Sequence, residues 1–91
     1  MAGTGRDIHE ASEAGNTEEV ERLIRAGVNV NKKYNGGRTP IHWAAGVGEA
    51  EVCKVLLQNG ADKNIRDING RTPLDEARFG RHQNVIALLS Q

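Results

Sequence analysis

Three side chains in this sequence have the chemistry to bind a metal ion: His9, His42 and Cys53. The two histidines stand far apart in the sequence, and no third ligand stands at a spacing suited to zinc. Cys53 is the only cysteine, and it falls on the apolar side of a predicted helix, where a thiol behaves as a small hydrophobic group. We therefore expect no metal and no other cofactor, with a metal protein built on these three residues as the alternative.

Catalytic patterns are also missing from the sequence. Asp75 and Glu76 are neighbours in a predicted helix, so they point in different directions and cannot work as a carboxylate pair. Neither Ser12 nor Ser90 belongs to a recognisable nucleophile motif, and the chain has no glycine-rich phosphate loop. We expect that the protein is not an enzyme.

Aromatic residues point to binding chemistry instead. The chain has one Tyr, one Trp and one Phe, and Tyr34, Trp43 and Phe79 all lie outside the aliphatic pattern of the predicted core. Aromatic rings, together with arginine, are frequent hot spots of protein interfaces. Two interpretations of Trp43 stay open, a core position between packed units and a position in a binding groove.

Five basic residues fall in or beside the two long connecting segments: Lys32, Lys33, Arg38, Arg66 and Arg71. A basic row with aromatic rings behind it predicts a protein partner whose binding segment is acidic and apolar. Ordinary surface charge is the alternative interpretation. Because twelve basic residues balance twelve acidic ones, no net field favours nucleic acid or a membrane surface, and we expect neither as a partner.

The elements that position these residues follow a regular plan in the middle of the chain. Thr39 is a good N-cap, Pro40 suits the first helical position, and Gly48 can take the left-handed conformation that ends a helix. A second helix follows and ends at Asn59-Gly60. The middle of the chain is therefore predicted to form one complete helix-turn-helix unit.

The same plan recurs at a fixed period of about 33 residues, so that His9 and His42 occupy equivalent places in successive units. Seven residues of the middle unit recur one period later, as Gly70, Arg71, Thr72, Pro73, Ala77, Val85 and Leu89. In the first unit, Asp7 and Glu10 predict a capping box for a helix over residues 8–14. In the last unit, Arg81 stands at the place of Gly48, so either the helix ends one residue early or Arg81 takes a positive φ.

The middle unit resembles an ankyrin repeat, whose period is about 33 residues and whose signature is Thr-Pro-Leu-His-x-Ala. The matching residues are Thr39-Pro40-Ile41-His42, Ala44-Ala45, Gly48 and Asn59-Gly60-Ala61-Asp62-x-Asn64. The resemblance implies an all-α fold, an ankyrin-repeat solenoid of three stacked helix-turn-helix units with β-hairpin fingers. A single domain would cover residues 1–91, with repeat 1 at about 4–33, repeat 2 at about 34–66 and repeat 3 at about 67–91.

In this family the finger tips and the inner faces of the first helices form a concave surface that binds other proteins. Carried over to this sequence, the resemblance implies a binding surface of Lys33, Tyr34, Asn35, Arg38, Trp43, Val47, Arg66, Ile68, Asn69, Arg71, Glu76 and Phe79. Tyr34 departs from the pattern, because the family usually has an Asp here, as the next unit has at Asp67. The first finger is therefore looser, or Tyr34 itself makes a contact.

The expected function is that of a protein-protein interaction module, a monomeric scaffold in the cytoplasm or nucleus, since the chain has one cysteine and no leader pattern. One alternative is a structural or assembly role through an exposed apolar edge at Val85 to Leu89. Another is regulation of actin capping protein, because the first half also resembles the myotrophin type of small stand-alone ankyrin proteins. Met1 to Gly5 are predicted to be a frayed lead-in without function.

Overall fold

The computed structural model describes residues 6–91, so the prediction for Met1 to Gly5 lies outside the described residues. Six helices form three successive pairs: α1 Arg6–Glu13, α2 Thr17–Arg25, α3 Pro40–Val47, α4 Ala50–Gln58, α5 Pro73–Phe79 and α6 Gln83–Leu89. The predicted all-α fold of three helix-turn-helix units is confirmed. No helix within this part of the chain is both long and apolar enough to cross a membrane.

The pairs stack so that the helices form two layers. The first helices α1, α3 and α5 pack side by side, and the second helices α2, α4 and α6 do the same. Fully buried aliphatic side chains fill the space between the layers, among them Ile8, Val20, Ile41, Val52, Leu56 and Val85. Because each pair buries its apolar faces partly against the next pair, the stack as a whole supplies the core.

The middle pair follows the sequence signals closely. Thr39 has extended backbone angles at the N-cap of α3, and Pro40 is the first residue of the helix. Gly48 ends α3 with φ +85° and ψ +24°, the left-handed conformation in which a Cβ would be strained. The predicted beginning of α3 and its glycine stop are both confirmed.

The first pair differs from the prediction at the start of its first helix. Asp7 already lies inside α1, which begins at Arg6, so the predicted helix start after an Asp7 cap is wrong. The helix α2 begins at Thr17, but its cap is Asn16, whose side chain accepts a hydrogen bond from the Glu19 amide at 3.2 Å. An Asn cap leaves Thr17 to be the first helical residue.

In the last pair, both outcomes that were predicted from Arg81 at the place of Gly48 occur. The helix α5 ends at Phe79, one residue before the position that matches Val47, and Arg81 has φ +58°. Arg81 therefore holds the left-handed conformation that glycine supplies at Gly48. For a residue with a Cβ this conformation costs about 1 kcal/mol.

The β-hairpin fingers are not confirmed, because the described residues contain no strand. Finger 1, residues 34–38, has one isolated bridge in which the Tyr34 amide donates to the Arg38 carbonyl at 2.9 Å. Finger 2, residues 67–71, closes with the matching bond from the Asp67 amide to the Arg71 carbonyl, also at 2.9 Å. Each finger is thus a tight turn with one closing bond, too short for a ladder.

The two fingers reach this closure through different turns. In finger 2 the Asp67 carboxylate accepts the amides of Asn69 and Arg71, and only Gly70 has a positive φ. Tyr34 has no carboxylate, and finger 1 instead places three successive residues at positive φ: Asn35, Gly36 and Gly37. This backbone needs a sequence rich in glycine and asparagine, which explains the Asn-Gly-Gly of the first finger.

We predict that Arg81→Gly stabilises the protein by about 1 kcal/mol, because glycine removes the strain of a Cβ at positive φ. Urea unfolding at neutral pH measures the change. Arg81→Ala is the matched control, since it deletes the side chain and keeps the strain, and it should leave the stability nearly unchanged. A loss of stability in Arg81→Gly would contradict this explanation.

Candidate binding site

The first helices hold the fingers through buried histidines. His9 Nε2 lies 2.9 Å from the carbonyl oxygen of Arg38, and His42 Nε2 lies 2.9 Å from that of Arg71. The Thr39 amide donates to His42 Nδ1 at 3.1 Å, so the proton of this imidazole is on Nε2, which donates to Arg71. Each histidine therefore fixes the backbone of an arginine in the finger that follows it.

The side chains of the same two arginines meet at buried acids. Arg38 places Nη2 3.0 Å from Glu76 Oε1 and Nε 3.7 Å from Asp67 Oδ2, while Arg71 places Nη1 3.9 Å from Glu76 Oε1. The acid side chains are 2% and 8% exposed, whereas those of Arg38 and Arg71 are 35% and 49% exposed. The carboxylates thus hold the guanidinium groups from the protein side, and the outer faces of these groups remain in solvent.

Asp67 is ionised in spite of its burial. Burial alone would raise its pKa, but the amides of Arg71 and Asn69 and the charges of His42 and Arg38 together lower the pKa below its ordinary value. The two acids therefore balance the two arginines in charge, and the predicted basic row is neutralised at its centre. Its remaining cations are Arg66, which donates to its own finger at Gly70 O over 2.9 Å, and the exposed Lys32 and Lys33.

A groove of about 340 Å³ lies between the two fingers. It brings together six of the twelve predicted residues: Asn35, Arg38, Ile68, Asn69, Arg71 and Glu76. The fingers are joined here because the Ile68 amide donates to the Gly36 carbonyl at 2.9 Å. Glu76 is 7% exposed, so we expect it to position the arginines and not to contact a partner directly.

An aromatic cluster lies beside the groove. The rings of His9, Tyr34 and Trp43 have centroids 5.5 to 6.2 Å apart, and the Arg38 guanidinium is 6.0 Å from the Trp43 ring centre. Tyr34 therefore makes a contact, which answers the question that its unusual place in the finger raised. Trp43 packs on the preceding repeat as well, and its indole Nε1 is buried without an acceptor among residues 6–91.

The other predicted residues are exposed around this centre. Phe79 is 79% exposed, and the Arg71 guanidinium lies 5.4 Å from the centre of its ring. Ile68 is 78% exposed at the tip of finger 2, and Val47 is 45% exposed at the end of α3. Phe79 and Ile68 lie beside the arginines, which is the mixture that an apolar and acidic segment would match.

Two residues that the sequence interpretation did not assign to the surface belong to it. Asp67 was recognised only as a turn residue, although it also anchors Arg38. Gly36 lines the groove and accepts the bond that joins the fingers. The only signal in the sequence was the Asn-Gly-Gly turn itself, in which Gly36 takes the positive φ that glycine favours.

His9, His42 and Cys53, the residues of the metal-site alternative, make contacts that support the fold. Both imidazoles of His9 and His42 contact backbone carbonyls, and burial raises the pKa of the Cys53 thiol to about 12, so it stays protonated at neutral pH. Within residues 6–91 no three His, Cys, Asp or Glu side chains cluster in a way that could hold a metal ion. No sequence signal marked His82, whose Nε2 lies 3.1 Å from the Gly46 carbonyl.

A family model described as ankyrin repeats, in three copies, matches residues 8–91. No curated protein matches the chain.

We predict that protonation of His42 destabilises the fold. Burial lowers the pKa of His42 below its unfolded value of about 6.5, so the unfolded chain binds the proton more readily. The stability is therefore complete above that pH and falls as the pH drops through it towards the folded pKa. Urea unfolding at several pH values measures this loss.

The control for this titration is His42→Gln, in which His9 and His82 are unchanged. It should be less stable than the original protein at neutral pH, because it breaks the bonds to Thr39 and Arg71. It should also lose less stability on acidification. An equal loss in both proteins would contradict the assignment to His42.

We predict a coupling energy of about 1 kcal/mol between Arg38 and Glu76, because a buried carboxylate is screened less than an exposed one. A double-mutant cycle with Arg38→Met and Glu76→Gln measures it by urea unfolding. The exposed pair of Glu51 and Lys54, at 3.7 Å, is the matched control and should couple more weakly. Coupling no larger than in that control would show that Glu76 does not hold Arg38.

Proposed function

The chain belongs to the ankyrin-repeat family, and we propose from this premise that it binds a partner protein through the concave surface of its fingers and first helices. Ankyrin repeats generally act as protein-protein interaction modules, and the family is typically not enzymatic. We accordingly propose a binding protein without catalytic activity and without a cofactor.

The observation that carries this proposal is the pair of half-exposed arginines over buried acids. A guanidinium has five N–H donors in a fixed plane. Asp67 and Glu76 form ion pairs with Nε and Nη2 of Arg38, and no side-chain hydrogen bond of Arg38 within residues 6–91 uses its donors, so they can serve an outside acceptor. Side chains that are already held in place lose less conformational entropy on binding, so this arrangement supports recognition of a partner carboxylate.

The apolar neighbours define the rest of the partner segment. Ile68 and Phe79 expose most of their surface next to Arg71, and Tyr34 is 38% exposed beside Arg38. Burying one such side chain contributes about 1.5 to 3 kcal/mol. We propose that the partner presents an acidic side chain to the arginines and apolar side chains to these flanks.

The neutral balance at the centre of the site affects how binding depends on salt. Two acids offset the two arginines, so within the basic row the unbalanced positive charges are those of Arg66, Lys32 and Lys33. We therefore expect modest salt dependence of the association rate, with the short-range contacts providing most of the affinity. We expect neither nucleic acid nor a membrane surface as the partner.

The two other candidate functions stay predictions. For assembly through the last helix, Val85 and Leu89 are buried, and Ile86 and Leu88 are partly buried against the core, which leaves little apolar edge. We expect a monomer, and size measurements over a range of concentrations test this. Regulation of actin capping protein is tested directly by offering capping protein as the partner. The location in the cytoplasm or nucleus is likewise still an expectation.

We predict that Ile68→Asp combined with Phe79→Asp abolishes partner capture from a cell extract. These side chains are almost fully exposed, so the substitutions should leave folding intact while placing two negative charges against an acidic partner. The measurement is a comparative pull-down with identification of the retained proteins by mass spectrometry. Substituting exposed residues avoids breaking the ion pairs of Arg38 and Arg71.

The matched control carries the same two charges on the other helix layer, as Gln58→Asp with Ala87→Asp, at exposed positions of α4 and α6. Circular dichroism should show equal helix content in all three proteins. A partner kept by the original protein and the control, and lost by the finger variant, supports the concave surface. Loss in the control alone would move the site to the second helices.

A further inference from the structure

The sequence contains three Asn-Gly pairs, and the fold gives them different hydrogen bonds. They are Asn35-Gly36 at the tip of finger 1, Asn59-Gly60 after α4 and Asn69-Gly70 in finger 2, and all three asparagines are exposed. An asparagine before glycine is the sequence most prone to losing its side-chain amide, because glycine has no side chain to block the reaction. The sequence alone therefore gives three equivalent candidates.

Hydrogen bonds restrain two of these pairs. The Gly70 amide donates to the Asp67 carbonyl at 2.9 Å, and the Gly60 amide donates to the Leu57 carbonyl at 3.2 Å. The side chain of Asn59 is also held, since its Nδ2 donates to the Val55 carbonyl at 2.8 Å. In each case the glycine nitrogen must leave an acceptor before it can react.

The pair in finger 1 has no such restraint. Among residues 6–91 the Gly36 amide has no acceptor, and neither the carbonyl nor the side chain of Asn35 takes part in a hydrogen bond. The difference follows from Tyr34, because the turn that replaces the Asp67 arrangement leaves this peptide unit unbonded. No hydrogen bond within residues 6–91 therefore has to break before the Gly36 nitrogen can approach the Asn35 side chain.

We propose that Asn35 is a site of spontaneous deamidation and that the fold selects it over the other two pairs. The Gly36 nitrogen attacks Cγ of Asn35, a new C–N bond closes a five-membered succinimide, and the side-chain nitrogen leaves as ammonia with the Gly36 proton. Water then opens either carbonyl of the ring, giving aspartate or isoaspartate. No reactant other than water is required.

The product changes the candidate binding site. Asn35 and Arg38 line the same groove, so the reaction adds a negative charge where the arginines face solvent. The formal net charge of the chain changes from zero to one negative charge. If the groove binds an acidic segment, deamidation weakens binding. This consequence rests on the proposed function, whereas the reaction itself does not.

Tryptic peptides make the test direct. Cleavage after lysine and arginine puts the three pairs into separate peptides, residues 34–38, 55–63 and 67–71. The folded protein is incubated at mildly alkaline pH, digested briefly at each time point, and the fraction of each peptide with the mass of the acid form is measured. We expect peptide 34–38 to convert roughly fivefold faster than the other two, the factor that corresponds to one ordinary hydrogen bond.

The same incubation in urea removes the fold, and the three rates should then converge. Conversion of peptide 34–38 no faster than that of 67–71 in the folded protein would overturn the proposal. The same ranking with and without urea would also overturn it, because local sequence would then determine the rates. Asn35→Asp in the comparative pull-down tests the consequence separately, with reduced partner capture expected and unchanged capture overturning it.

Discussion

The histidine on α1 and the histidine on α3 each contact the carbonyl of an arginine in the following finger, and the placement of the candidate binding surface depends on these contacts. His9 Nε2 lies 2.9 Å from the carbonyl oxygen of Arg38, and His42 Nε2 lies the same distance from that of Arg71. The imidazole nitrogen is a donor that the helix can aim sideways, across the boundary between repeats. Each of these side chains thus links two stacked repeats and fixes the position of a finger, and for His42 a charged imidazole is unfavourable because burial lowers its pKa.

The candidate surface combines ordered arginine side chains with little net positive charge. Two arginines that point into solvent without support would be mobile and would attract any anion. Asp67 and Glu76 order them, at the cost of most of the local positive charge. If this surface binds a partner as proposed, it favours one that fits its geometry over one that is merely acidic, since only short-range contacts remain strong after this balance.

The two fingers show how one substitution changes several properties together. Asp67 bonds the amides of its own turn, and it also faces Arg38. Tyr34 at the matching place does neither, and it adds an aromatic ring to the cluster of His9 and Trp43. The backbone of finger 1 then depends on residues that tolerate a positive φ, and one of its peptide units is left without hydrogen bonds.

The sequence by itself determined the local parts of this protein. The repeat period, the start of α3 at Pro40 and the stop at Gly48 follow from caps and glycines, whose effects act within one helical turn. Even the strain at Arg81 could be predicted, because Arg81 stands at the position where the middle unit has Gly48. The start of α1 was misjudged, because Asp7 has a good capping side chain but lies inside the helix, and each finger is a turn with one closing bond where a hairpin was expected.

Only the tertiary structure decided which of these residues act together. Arg38 meets Glu76 and Ile68 meets Gly36 although each pair is distant in sequence, because stacking brings the repeats side by side. The same stacking buries Glu76, neutralises the centre of the basic row and places Tyr34 against Trp43. Such contacts depend on the distance and angle between packed helices, and these quantities leave no local pattern in the sequence.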